Sequence, residues 1–224
     1  MSFGVEARFF HDLLSEAGVR PKRLLVVGCG EGVEVTELGR VTGATSFGVD
    51  LVAAPAHVAP GVCLVRADAR ALPFRDGVFE AVYCYHVLEH VPGPGRAVAE
   101  ARRMLAPDGL GYFGTPNRDR LVGYVGGRAT TWEKFRWNVQ DWGRRLTGRW
   151  SNEQGAHAGF SRGQLGRLLR ESFAVVESVD LSYYQAKYPK IAGFWRLMTR
   201  LGLAAFLAPS VYFRTRCRAG APGR

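Results

Sequence analysis

Cysteine is scarce and unpaired in this sequence: Cys29, Cys63, Cys84 and Cys217 are scattered, with no C-x-x-C spacing among them. That pattern argues against a zinc site or a dithiol redox centre, and no metal is expected. Three of the four lie in or beside apolar runs and read as buried free thiols in a reducing cytoplasm. Lysine is almost missing, with four residues among 30 basic ones, the rest being arginine. Acid is missing from the C-terminal part: no Asp or Glu follows Asp180, whereas Lys187, Lys190, Arg196, Arg200, Arg214, Arg216, Arg218 and Arg224 do. The first residues lack the basic start and apolar stretch of a signal peptide, so a cytoplasmic protein is expected. The formal charge of +10 suits phosphates on nucleic acid or an anionic membrane face, and it equally suits an inert, self-repelling surface.

A dinucleotide fingerprint is lacking too, by one residue. Leu24-Leu25-Val26-Val27 runs into Gly28-Cys29-Gly30-Glu31-Gly32, and G-x-G-x-x-G would need glycine where Val33 stands. What is present is G-x-G-x-G after an apolar run, a turn whose main chain comes close to a ligand. Asp50 ends the next apolar run, at the carboxyl end of a second strand, where open α/β sheets bind nucleosides. Apolar runs near 24–28, 46–50, 62–66, 79–84 and 110–114 predict parallel strands. Helices are expected between the first two pairs and over about 94–105. Ala106-Pro107-Asp108-Gly109 carries turn chemistry. Ser161-Arg162-Gly163-Gln164 is a capping box opening a helix over 162–171, and Phe173 to Val179 reads as a strand. Val211 to Cys217 reads as a closing antiparallel strand.

The order of these pieces carries a resemblance. Asp68-Ala69 follows the third run; then come Leu72-Pro73-Phe74, Asp76, Phe79, Val82, Val87-Leu88-Glu89-His90-Val91, Arg103 to Gly109 and Thr115-Pro116-Asn117. Together they resemble the type 11, quinone-pathway-like family of class I S-adenosylmethionine-dependent methyltransferases, closely over residues 20 to 117. The resemblance implies a Rossmann-like, doubly wound α/β fold: a mostly parallel seven-stranded sheet with an antiparallel last strand, one domain over 1–224. It implies S-adenosyl-L-methionine as cofactor, cradled by Gly28, Cys29, Gly30 and Gly32. Asp50 and Leu51 would hold the ribose, Asp68 and Ala69 the adenine, and Tyr85 would stand beside the donor. An ionised carboxylate suits both tasks, since it accepts from two hydroxyls or an exocyclic amine. Relatives usually carry an acid where this chain has Val26, which leaves the donor's amino end to another acceptor; Glu80 for the usual Asp is a milder departure.

Methyl transfer needs donor and acceptor in line, water excluded, and in some cases a proton removed. The residues after the fourth strand lie nearest that chemistry. His86 is the candidate base with Tyr85 beside it, and His157 is a further candidate facing the acceptor. A packing or positioning role is the alternative for each. His90 is expected to support the following helix, and Asn117 to line the pocket floor. An N-terminal helix with Phe9 and Phe10 either covers the cofactor or packs on the sheet.

Two segments frame the acceptor. Residues 118–156 form a helical, aromatic-rich insertion after strand five. Thr130-Thr131-Trp132-Glu133 caps its helix, and Trp132, Phe135, Val139, Trp142 and Leu146 make one stripe, expected to pack on the sheet. Trp137 and Trp150 lie off the stripe and are the better candidates for touching substrate. Residues 191–207 read as an apolar helix before the final strand. Arg196, Arg200 and Pro209 argue against a spanning helix and leave a lid or a peripheral membrane contact. The reading is methyl transfer to a small-molecule acceptor, foremost a hydroxyl of an aromatic, natural-product, lipid or sugar-type substrate. A homodimer is a further partner reading. The alternatives are a nucleic-acid methyltransferase, which the charge favours but the missing Asn-Pro-Pro-Tyr-type motif opposes, and a non-catalytic cofactor-binding protein.

Overall fold

The computed structural model describes residues 3–52, 59–123, 129–152 and 157–217. Seven strands form one sheet: β1 (Arg23–Val27), β2 (Thr45–Asp50), β3 (Val62–Arg66), β4 (Phe79–Tyr85), β5 (Leu105–Pro116), β6 (Val175–Ser178) and β7 (Ser210–Arg216). Their order is β3-β2-β1-β4-β5-β7-β6. β3, β2, β1, β4 and β5 pair in parallel. β7 is antiparallel to both of its neighbours. The chain order reverses between β1 and β4, so the crevice at the carboxyl ends of those strands is the place for a ligand.

Alternation along each strand sorts side chains to two cores. Leu24 and Val26 of β1, Tyr83 of β4 and Tyr112 of β5 point to one face, covered by α1 (Phe3–Glu16), α2 (Val33–Thr42) and α6 (Asp180–Lys187). Leu25, Val27, Val82, Cys84 and Phe113 point to the other, covered by α3 (Pro94–Met104) and α5 (Arg162–Arg170). Tyr83, Tyr112 and Tyr212 stack in sequence across β4, β5 and β7, with centroids 5.2 and 5.9 Å apart.

The parallel core and antiparallel last strand are as the resemblance implies. The turn at 106–109 loops out of the ladder: Phe79 pairs with Leu105, and Ala81 resumes at Leu110. Asp180 opens α6 directly after β6, a helix the sequence reading did not assign. The expected helix between the second and third strands falls on 51–61, of which 53–58 lie outside the described residues. Glu80 takes a structural task, accepting the main-chain N–H groups of Lys22 and Arg23 at 3.1 and 2.8 Å.

One open alternative is decided and two expectations are corrected. Phe9 and Phe10 are buried against Tyr112, Tyr83 and Tyr183, so α1 packs on the sheet and does not cover the ligand crevice with them. The stretch 191–207 is two short helices, α7 (Ala192–Arg200) and α8 (Ala204–Leu207), parted at Gly202 with φ 72°. The stripe on α4 (Thr131–Leu146) does not pack on the sheet: Trp132 is 70% and Leu146 84% exposed, with Phe135, Val139 and Trp142 also outward. No helix among the described residues is long and apolar enough to cross a membrane.

Candidate active site

β1 delivers the main chain into a turn in which Gly28, Gly30 and Gly32 all take positive φ (76°, 48° and 80°). A Cβ on Gly28 would overlap the Val87 side chain, and one on Gly32 would press on Leu64. Only glycine lets this loop close against its neighbours. The Asp50 carboxylate at the end of β2 locks it, accepting from Gly30 N–H at 2.8 Å and from Val52 N–H at 3.2 Å. A carboxylate has about four acceptor positions, so sites remain for hydroxyls.

Between this loop, the end of β3 and the turn after β4 lies a cavity of ≈ 250 Å³. Gly28, Asp50, Leu51, Asp68, Ala69 and His86 are on its wall. Cys29, Gly30 and Gly32 shape the loop behind it without lining it. Burial and the nearby Asp50 charge push the Cys29 thiol up to about 11, so it is an inert thiol. Asp68 is gripped by Arg70, whose Nη2 is 2.7 Å from Oδ2, and those bonds hold its carboxyl down at about 2. It stays an acceptor over the whole physiological range, shared between Arg70 and anything in the cavity. The wall combines the acids Asp50 and Asp68 with apolar Leu51, Ala69, Val87 and Val91, acceptors for hydroxyl or amine groups set in an apolar lining. Among the described residues on that wall the one arginine, Arg70, is held by Asp68.

A second cavity of ≈ 400 Å³ lies beyond the β4 tip, and His86 lines both. His86 holds φ 55°, a conformation uncommon for a side-chain-bearing residue, and this turns its ring between the two spaces. Its Nδ1 is 3.3 Å from Glu89 Oε1, and its Nε2 is 3.5 Å from Ser210 Oγ. Glu89 is buried and neither of its oxygens has a hydrogen-bond partner among the described residues; Oε1 is in ion-pair range of His86 Nδ1 and, at 3.9 Å, of His90 Nε2. Tyr85 stands against the His86 ring at 4.2 Å and lines the second cavity; burial raises its phenol above the usual value. His157 also takes positive φ (46°) and lines that cavity, and burial followed by the neighbouring His90 ring lowers its pKa. The rings of His90 and His157 meet at 4.7 Å, so His90 belongs to the site's wall as well as to the turn before α3.

Tyr85, His86 and His157 are thus brought together, and the sequence reading missed Glu89, Arg70 and Ser210. The Glu89 signal was present as the acid of the Leu-Glu-His run, three residues after His86. Two expected pocket residues are structural. Asn117 is buried and donates Nδ2–H to the Ala205 and Ala208 carbonyls at 2.6 and 2.8 Å, tying β5 to α8. Trp150 is buried under the Arg120 and Arg145 guanidinium groups. Trp137 on α4 lines neither cavity.

A doubly wound sheet with a glycine turn, a ribose-competent acid and a ligand crevice at the strand reversal defines a nucleoside-binding α/β protein. Residues 25–113 match the family model described as a methyltransferase domain. The matched part of the chain is similar to class I S-adenosylmethionine-dependent methyltransferases of the type 11 family. Among its relatives is a ubiquinone biosynthesis O-methyltransferase of Neisseria meningitidis, 26% identical over 77% of this chain and 79% of that protein. The protein of the same name from Pectobacterium carotovorum is 35% identical over 46% of each chain. For that relative the match spans just under half of its length. Among solved structures, the 1,6-didemethyltoxoflavin-N1-methyltransferase of Burkholderia thailandensis, with bound S-adenosylhomocysteine, superposes with a TM-score of 0.55 at 19% identity, covering 95% of this chain and 77% of that one. A [4+2]-cyclase superposes with a TM-score of 0.53 at 20% identity, covering 96% and 81%. At such identities the likeness is one of fold, and the cyclase shows why fold does not settle chemistry.

Proposed function

We propose that this chain transfers a methyl group from S-adenosylmethionine to a hydroxyl of a small aromatic acceptor. The observation that carries this reading is the position of His86 on the walls of both cavities, with its Nδ1 against a buried carboxylate. In that reading Asp50 and Asp68 hold the nucleoside, with Gly28, Leu51 and Ala69 lining its seat. The bound donor supplies an electrophilic methyl group. The buried Glu89 carboxylate beside Nδ1 orients the His86 ring, with Nε2 on the Ser210 side, toward the second cavity. Nε2 then takes the hydroxyl proton as the oxygen attacks, a role ordinarily worth about 10²–10⁴ in rate. The second cavity's aromatic wall, with Tyr85, Tyr188 and Tyr212 on it, suits a flat acceptor. The relatives' printed names, O-methyltransferases of ubiquinone biosynthesis, support a phenol or quinol in that place.

The test is a panel of catechols, hydroxybenzoates, quinols, aliphatic alcohols, amines and RNA, read by mass spectrometry for the methylated product and for S-adenosylhomocysteine. A methyl ether on a phenol is expected. His86→Ala should lower its formation roughly hundredfold while donor affinity changes far less. Methylation of amines or RNA alone, or donor binding with no turnover on any acceptor, would discard the reading.

A further inference from the structure

The aromatic helix α4 is amphipathic in the wrong sense for a soluble surface. Its inward side is polar: Asn138 accepts the Gly123 N–H at 2.7 Å and donates to the Gly123 carbonyl, and buried Asp141 meets Arg120 at 3.2 Å. Its outward side is the stripe Trp132, Phe135, Val139, Trp142 and Leu146. Polar tethers therefore hold the helix down while its apolar face is turned to solvent.

That face does not end with α4. Trp142 Nε1–H donates to the Leu121 carbonyl at 3.1 Å, and Leu121 N–H donates to the Phe206 carbonyl of α8 at 2.8 Å. Leu121 and Val122 are exposed and lie between the two helical units. On the far side Phe194, Leu197, Leu201, Leu203 and Phe206 of the α7–α8 segment are exposed as well. An exposed apolar run of this extent marks an interaction surface rather than ordinary scatter.

Charge says what kind of partner it meets. Along α4 and α7–α8 the exposed or half-exposed cations are Lys134, Arg136, Arg144, Arg145, Arg196 and Arg200, with Lys190 just before α7. The only acids in those helices are Glu133, committed to its capping box, and Asp141, buried on Arg120. A second copy of this chain would bring the same cations against these, and among the described residues of α4 and α7–α8 no free acid answers them. An anionic bilayer answers both features: aromatic and aliphatic side chains enter the headgroup boundary while arginines meet lipid phosphates.

We propose that α4, the strap at Leu121–Val122 and α7–α8 form one face that docks on an anionic membrane surface. The second cavity opens beside the same elements, with Arg120, Tyr188 and Pro209 on its wall. Docking would bring its mouth to the interface where a lipophilic acceptor resides.

The test is flotation of the full chain with vesicles of phosphatidylcholine, with and without phosphatidylglycerol, across a salt series. Flotation only with the anionic vesicles, weakening as salt rises, is expected. Trp132→Ser/Phe135→Ser and Phe194→Ser/Phe206→Ser should each lower partition roughly tenfold with the melting temperature unchanged. Arg196→Glu/Arg200→Glu should remove the preference for anionic vesicles. No flotation, equal flotation with phosphatidylcholine alone, or indifference to all three variants would overturn the proposal. So would a dimer in sedimentation velocity that these variants dissolve, which would give the face to a second copy. Flotation needs neither donor nor acceptor, so its failure would leave the methyl-transfer reading standing.

Discussion

At the scale of single residues, Asp50 has two tasks that one substitution separates poorly and two measurements separate well. Its carboxylate holds the glycine turn through Gly30 and Val52, and in the proposed function it also accepts ribose hydroxyls. Hydrogen bonds to a charged acceptor are worth about 1.5–3 kcal/mol each. Asp50→Ala should therefore weaken S-adenosylhomocysteine binding by roughly a hundredfold or more in calorimetry, with the fold retained by circular dichroism. Undiminished affinity would remove Asp50 from the site. His157 makes a prediction about pH. Partial desolvation and then His90 depress its folded pKa below the ordinary value, so protonation is harder in the fold than in the unfolded chain, by an amount that solvent screening of this exposed residue keeps small. Its contribution to stability is then fully present above about pH 6.5 and is lost as pH falls through the lower, folded value. His157→Asn, which tolerates positive φ, should make the fall in melting temperature between neutral pH and mild acid shallower. An identical slope would show that His157 does not titrate against the fold.

At the scale of elements, Gly159 is where the chain must pass close to β5. It holds φ 72°, and a Cβ there would overlap the Pro116 carbonyl. The backbone beside it pairs directly, Phe160 N–H donating to Pro116 O at 3.1 Å. Gly159→Ala should cost more than about 1 kcal/mol in urea unfolding, because strain and overlap add. A cost within a few tenths would mean that this approach is looser than described. Elements of this kind also divide what the sequence revealed from what it hid. The parallel strands were legible because runs such as Leu24–Val27 and Ala81–Cys84 are buried on both faces. The α4 stripe was legible as a helix face, but periodicity cannot say which way a face points, and here polar Asn138 and Asp141 decide it. α6 was missed because Asp180 opens it straight from β6 with no cap pattern; that carboxylate is instead taken by Arg162 and the Tyr212 N–H. In the site, Asp50 and His86 were legible from their place after strands. Glu89 was not, because its meaning depends on a positive φ at His86 that no spacing announces.

At the scale of the whole molecule, the fold sets two cavities on either side of one strand tip, the proposed nucleoside seat on the β1–β3 side and the aromatic space toward β7. The buried tyrosines across β4, β5 and β7 stack on one face of the sheet, and Tyr212 at the end of that stack is on the wall of the second cavity. Four of the five tryptophans, Trp132, Trp137, Trp142 and Trp150, lie in the insertion, and the fifth, Trp195, in α7. None is on the sheet. Stacked Tyr83, Tyr112 and Tyr212 are in its middle. Four indoles report on the insertion, whereas Trp195, stacked on Tyr184 at 4.3 Å, reports with the core tyrosines. In a Trp195→Phe background, indole emission will follow the insertion and near-ultraviolet tyrosine dichroism the centre. If the insertion loosens first, the emission transition should precede the tyrosine transition on heating, and coincident curves would mean that insertion and centre melt as one unit.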